Sequence, residues 1–217
     1  MVHPRLRMNL LRTVHGEQDF AWERPMRVGD RPRVRIAIEA IRETSAGDLL
    51  VLSGQARDAR DGTLLGSARA GVLARAWRHP HPRRAAPHRE PSATPVELQR
   101  IALRTAADQA LRYAAASGDD NFIHTNRLLA RAAGLPGPVL HGMCVLAMAH
   151  AAIIRERLGG DLRRAAGLRA RFTSFVRPGE TLTVVLQAPE RDDELPFAVL
   201  DARGRTVIKD GVLRVRS

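Results

Sequence analysis

Residues 143–154, MCVLAMAHAAII, carry a single polar side chain, His150, so a helix through them is apolar around nearly its whole circumference. Such a helix is stable in water only where other structure wraps it. The run is too short to cross a bilayer, which takes roughly 20 apolar residues. It is therefore read as a buried core helix. Gly142 precedes it and the polar RERLGG follows it, which sets its ends.

The flanking sequence supplies the wrapping. After the helix, AAGLRARFTSFV and TLTVVLQA alternate as strands across the turn RPGE, and ELPFAVLD pairs with RTVIKDGVLRVRS across the turn ARG. Before it come a short strand around 101–103 and a helix capped by Thr105, with Asp108 as its capping-box partner, that stops at Gly118. TNRLLARAAG then forms a short helix ended by Gly134, and PGPVL is an extended entry to the long helix. The first 77 residues read as strands. In RPRVRIAIEAI, Val34, Ile36 and Ile38 share one face and Arg33, Arg35 and Ala37 the other, which predicts a half-buried antiparallel strand. DLLVLSGQARDA and LLGSARAGVLARAW form a hairpin across an Asp-Gly turn. Between the halves, HPHPRRAAPHREPSATP holds five prolines. The expected division is 1–77, mainly strands; 78–98, a Pro/Arg-rich linker; and 99–217, a strand-and-helix domain, giving an α+β protein. ERPMRVGDRPRVRIAI in the first half echoes FVRPGETLTVVL in the second, an internal repeat of the sheet without the helix.

The formal net charge of +12 is almost all arginine, Lys209 being the only lysine. A nucleic-acid surface also calls for stacking aromatics, and aromatic content is 4%. A GC-rich genome with a solvated basic surface accounts for the same composition. Cys144 is the only cysteine, which excludes an intrachain disulfide and suits a reducing compartment. The expectation is a cytoplasmic protein that engages neither nucleic acid nor membrane. His79, His81 and His88 lie in the Pro-rich linker, where an extended chain does not converge three imidazoles on a metal.

Residues 117–143, SGDDNFIHTNRLLARAAGLPGPVLHGM, hold the densest chemistry. Asp119 and His124 in one loop can share a water as a general acid/base pair, with Asn121 between them to orient either partner. Equally, Asp119 and Asn121 can be mere turn caps.

The whole string resembles the signature of the MaoC-like (R)-specific enoyl-CoA hydratases and dehydratases, S-x-D-x-N-P-x-H followed by P-x-x-H-G-M. Ser117, Asp119, Asn121, His124, Pro138, His141, Gly142 and Met143 match it. In the first half HGEQ at 15–18 and RP-x-x-x-GD at 24–30 resemble double-hot-dog members of that family. The resemblance implies a double hot-dog fold, an antiparallel sheet wrapped around a long helix, with an incomplete first repeat. It implies that Asp119 and His124 hold the water that adds to C3 of a trans-2-enoyl thioester. The N–H of Gly142 at the helix start would bind the thioester oxygen, with Ser117, Asn121 and His141 in support. Phe122, Met143 and His150 are pocket candidates. No metal or cofactor is implied; coenzyme A or an acyl carrier protein is the substrate's handle, and Arg127, Arg169, Arg171 and Arg177 are candidates for its phosphates. The implied reaction is hydration or dehydration of CoA thioesters. Alternatives are a carrier-bound, polyketide-type substrate and a non-catalytic partner subunit. A homodimer or a partner chain would complete the first half. Phe122 stands where the pattern has proline and removes a fixed φ beside the site.

Overall fold

The computed structural model describes residues 13–44, 47–75 and 95–216. The chain divides into two compact units, residues 1–95 and 96–217. The boundary falls between Pro95 and Val96, slightly ahead of the expected start at 99, because strand pairing already begins at the amide of Ala188 bonding to the carbonyl of Val96. The histidines of the Pro-rich linker lie outside the described residues.

The first unit contains β1 (Thr13–Trp22), β2 (Pro32–Thr44), β3 (Gly47–Asp58) and β4 (Leu64–Arg75), all antiparallel, in the order β2-β3-β4-β1. The two motifs seen in its sequence are structural devices. HGEQ sits at a bulge between His15 and Glu17, where buried Gln18 donates its amide to the Arg69 carbonyl at 3.2 Å. In RP-x-x-x-GD the two ends pair across the turn: Arg24 and Asp30 lie 2.6 Å apart, and Gly29 takes φ 90° between them. Arg60 completes the corner, 2.7 Å from Asp58 and 3.7 Å from Asp30. Its hydrogen bonds push the Asp58 carboxyl down to about 2.

One expectation fails in this unit. β2 was read as half buried, yet Val34, Ile36 and Ile38 are 59%, 68% and 48% exposed. Alternation established which side chains share a face, and nothing among the described residues of this unit covers that face.

The second unit contains β5 (Glu97–Arg104), α1 (Gln109–Ser117), α2 (Phe122–Thr125), α3 (Arg127–Ala132), α4 (Gly142–Leu158), a 3-10 turn (Leu162–Arg164), β6 (Ala165–Phe172), β7 (Thr181–Gln187), β8 (Glu194–Leu200) and β9 (Thr206–Val215). The strand order is β6-β9-β8-β7-β5. Both outer strands of this unit, β5 and β6, pack on α4, as a sheet curled round a helix requires. This is the hot-dog arrangement. Along α4, Cys144, Val145, Leu146, Ala149, Ala152, Ile153 and Ile154 are buried, and Gly159 ends the helix in the left-handed region at φ 61°. The sheet supplies Leu182, Val184, Phe197, Val199 and Leu213 to the same core.

Leaving β5 aside, β6–β9 repeat the topology of β1–β4, each set running second, third, fourth, first. The sequence echo is thus a structural repeat. Its turns correspond as well: the Asp30 amide bonds the Arg27 carbonyl at 3.1 Å and the Glu180 amide the Arg177 carbonyl at 3.4 Å.

Thr105 does not cap α1. Its hydroxyl donates to the Glu180 carbonyl at 2.7 Å, so a strand-end contact 75 residues away wins over the local cap. Asp108 occupies the N-cap position without a side-chain cap bond.

The fold makes one residue especially intolerant of change. A Cβ on Gly211 would lie 2.6 Å from the Phe197 carbonyl oxygen and 2.7 Å from its ring, and Phe197 is 1% exposed. Gly211→Ala is expected to lower stability by about 1–3 kcal/mol through overpacking, measured by thermal or urea denaturation.

Candidate active site

The site residues are set by short helical turns and one extended segment. α1 ends because Gly118 adopts φ 74°, which turns the chain out of the helix. Ser117 then holds both ends of the turn, its hydroxyl donating to the Tyr113 carbonyl at 2.7 Å and accepting from the Asp119 amide at 3.2 Å. Asn121 orients Asp119 by hydrogen bonding, but through its backbone amide, which donates to Asp119 Oδ1 at 3.3 Å, and not through its side chain. Its side chain caps α2 by accepting from the Ile123 amide at 3.3 Å. His124 therefore rides on a one-turn helix, not on an open loop, and Asn121 acts on it through the backbone. Asn126 caps α3 in the same way, accepting from the amides of Leu128 and Leu129 at 3.0 Å.

The segment leading into α4 is held on two sides. The Val139 amide bonds the Ile123 carbonyl at 3.1 Å, and the Leu140 amide bonds the Val176 carbonyl at 2.7 Å. The Val139 carbonyl lies 2.8 Å from His124 Nδ1. A carbonyl only accepts, so Nδ1 carries the proton and Nε2 presents a lone pair. By the same logic His141 Nε2, 2.9 Å from the Asp119 carbonyl, is a donor. His141 is 3% exposed, and its buried Nδ1 has no hydrogen-bond partner among the described residues. The two imidazoles stack with centroids 3.7 Å apart and planes 25° apart. Burial is the main cause that pushes His124 below the ordinary imidazole range; neighbouring His141 pushes the same way, while the Val139 carbonyl and Asp119 oppose it.

Asp119, His124 and His141 bring potential ligand atoms within 4.8 Å of one another. A metal bound by imidazole lies close to the ring plane, about 2.0–2.1 Å from nitrogen. With nearly parallel rings 3.7 Å apart, one ion lies in the plane of at most one of them. His141 Nε2 is moreover already engaged by a carbonyl. The cluster suits proton handling better than metal binding.

Gly142 begins α4, where the first amides have no intrahelical acceptor and face outward as donors. Its lack of a side chain has a cause: a Cβ would meet the Phe172 ring at 2.9 Å. Phe122 occupies the first position of α2 and is half buried. Met143 is also half buried, beside Gly142. His150 stands two turns along α4, its basicity lowered by burial, and takes no part in the Asp119 cluster. Cys144 is buried, and burial pushes its thiol above the usual range. Of the candidate phosphate ligands, Arg171 pairs with Asp210 at 3.4 Å, and Arg127, Arg169 and Arg177 are exposed.

Sequence reasoning missed Tyr113, whose ring lies 4.8 Å from His141. It is the only tyrosine in the chain and sits one helical turn before Ser117, which was the available signal.

A family profile described as a MaoC like domain matches residues 86–195, just over half of the chain. The chain belongs to the MaoC-like family. A second profile, a FAS1-like dehydratase domain region, matches residues 1–64. The chain is 32% identical to 3-hydroxyacyl-thioester dehydratase Y of Mycobacterium tuberculosis over 82% of its own length and 62% of that protein. It is 38% identical to the enoyl-CoA hydratase ChsH3 of the same organism, over 57% of its own length and 43% of the relative's. It thus spans less than two thirds of these curated relatives. Among solved structures, a MaoC-like dehydratase from Phytophthora capsici superposes with a TM-score of 0.83 at 24% identity, covering 96% of this chain and 73% of that one, which establishes the shared fold.

Two outcomes test this geometry. His124 should titrate below about 6.5 by NMR, since burial disfavours its charged form. Gly142→Ala should displace Phe172 and cost about 1–3 kcal/mol in denaturation.

Proposed function

We propose that this protein interconverts trans-2-enoyl and 3-hydroxyacyl thioesters by adding or removing water, with (R) stereochemistry. The observation that carries the reading is the tautomer of His124, fixed by the Val139 carbonyl on Nδ1, in a ring that clusters with Asp119 and His141 so that their ligand atoms lie within 4.8 Å of one another. In the hydration direction Asp119 and His124 hold a water. Its oxygen bonds to C3 as one water proton passes to His124 Nε2, and His124 then delivers that proton to C2 on the same face, which forms the C2–H bond and leaves the imidazole neutral again. Dehydration reverses each step. The amide of Gly142 stabilises the negative charge that develops on the thioester oxygen, a task suited to a helix N-terminus. His141 holds the Asp119 backbone and stacks on His124, and so maintains their spacing. All of this is done by side chains and backbone donors, so no metal or cofactor is invoked.

The substrate's handle is coenzyme A or an acyl carrier protein; the relatives named as an enoyl-CoA hydratase and a 3-hydroxyacyl-thioester dehydratase support a thioester of this class. The exposed apolar row of β2 supports an assembly in which another copy or a partner subunit covers the first unit. No helix among the described residues is long and apolar enough to cross a membrane, and the single buried cysteine suits the cytoplasm, where we place the protein.

Asp119→Asn and His124→Ala should each reduce crotonyl-CoA hydration by about 100- to 10,000-fold while leaving the circular dichroism spectrum unchanged. Undiminished turnover in both variants overturns the proposal. The acidic limb of kcat/KM should lie below about pH 6.5, because neutral His124 is the base and burial lowers its pKa, so activity is kept as the pH falls through the ordinary imidazole value.

A further inference from the structure

The two sheet repeats build the same corner differently, and the difference leaves a cavity. In the first unit the corner between the turn before β2 and the β3–β4 hairpin is filled by ion pairs, Arg24 with Asp30 and Arg60 with Asp58. The corresponding corner of the second unit joins the turn before β7 to the β8–β9 hairpin. There the Arg203 amide bonds Asp201 Oδ1 at 2.9 Å, as the Arg60 amide bonds Asp58 Oδ1 at 2.9 Å, so Arg203 is the counterpart of Arg60. Its guanidinium is not used in the same way. Arg205 has taken over the Asp201 carboxylate at 2.9 Å, and Arg203 makes no ion pair among the described residues. Glu180 is the counterpart of Asp30, but the residue six positions before it is Ser174, where the first unit has Arg24. The ion-pair plug is therefore missing, and a cavity of about 90 Å³ remains, lined by Phe175, Arg177, Glu180, Asp201, Arg203 and Arg205.

The lining chemistry selects an anion. Arg205 is anchored by Asp201 and lies over the Phe175 ring, 5.4 Å from its centroid. Arg177 and Arg203 have guanidinium groups not engaged in any ion pair among the described residues. Glu180 is the one carboxylate facing them that is not committed to an arginine, since Asp201 already accepts from Arg205 and from the amides of Arg203 and Arg205. A planar guanidinium pair matches phosphate oxygens. Volume is ample, since about 10–15 Å³ of such space already admits a water. The cavity is also tied to the candidate site by backbone: Val176, between Phe175 and Arg177, accepts from the Leu140 amide at 2.7 Å. Leu140 is two residues before Gly142, a span of at most about 7 Å.

We propose that Arg177, Arg203 and Arg205 form a phosphate-binding corner that grips the phosphate of a phosphopantetheine arm while its thioester lies at Gly142. This rests on the thioester reading above. The shared chemistry comes from either of two sources, coenzyme A or a holo-acyl carrier protein. Glu180 limits the grip, so its removal strengthens binding.

The test combines binding with kinetics. Calorimetric titration with unacylated coenzyme A, and separately with holo-acyl carrier protein, is run on the wild type, on Arg177→Gln/Arg203→Gln, on Glu180→Gln and on Arg191→Gln/Arg163→Gln, a control that removes the same two charges at turns where Arg191 pairs with Asp193 and Arg163 with Asp161. Loss of about tenfold or more in affinity in the double variant is expected for at least one handle, with tighter binding in Glu180→Gln and no change in the control. The handle that weakens identifies the source. The kinetic arm compares crotonyl-CoA with the phosphate-free crotonyl N-acetylcysteamine thioester. The double variant should lose its preference for the phosphate-bearing substrate through KM, with kcat retained. Equal binding of both handles by wild type and double variant overturns the corner. Equal loss on both thioesters does so too, since it marks structural damage. If the wild type hydrates neither thioester but the binding difference holds, the thioester reaction fails and the phosphate corner stands.

Discussion

Two hydrogen bonds from imidazole to backbone carbonyl govern the candidate site. His124 Nδ1 to Val139 and His141 Nε2 to Asp119 are each fixed by groups that only accept, so the ring protons have a single arrangement. Because one carbonyl comes from the segment entering α4 and the other from the turn after α1, the stacked pair also clamps these two segments together. Helix α4 must be placed by the sheet before either bond forms, which makes the chemistry a consequence of core packing. The eight side chains that α4 buries and the stack at its start thus belong to one construction.

Duplicated topology gives the molecule a built-in comparison. Two copies of one strand order share turn positions, left-handed glycines at 29 and 179, and buried aspartates at 58 and 201 that tie down their hairpins. Where they diverge, the first copy spends its charges on itself and the second leaves them unspent. A closed ion-pair network steadies a turn and has nothing left to offer a ligand. An open one keeps charge available, at the expense of local rigidity.

Much of the fold was legible in the sequence because its strongest signals are independent of context. The apolar run at 143–154 admits only a wrapped helix, and the alternation from residue 165 onward admits only strands. The helix stop at Gly118 and the start of the long helix at Gly142 also stand close to where the sequence puts them. What could not be read depended on distant partners. Thr105 looks like a helix cap until the carbonyl of Glu180 is known to lie beside it, and Asn121 looks like a side-chain orienter until the turn of α2 claims its oxygen. Tyr113 belongs to no acid/base pattern, and only the packing of α1 brings its ring to His141. The exposure of β2 was hidden for a different reason: alternation reports the relation of side chains to one another and is silent on what lies above them.

That strand has a further consequence. β2 runs for 13 residues at the margin of its own unit's sheet, with a row of β-branched side chains facing outward. Long exposed edges of this kind invite pairing with other chains in register. Between the apolar positions stand Arg33 and Arg35, with Arg42 and Glu43 near the strand's end and Pro32 at its start. Stacked in register, the two arginines of one strand would confront those of the next, and proline removes a ladder donor at the strand's first position. The arginine excess that first suggested an anionic partner thus has a second use here, as a solubility guard that keeps a sticky edge from templating its own aggregation.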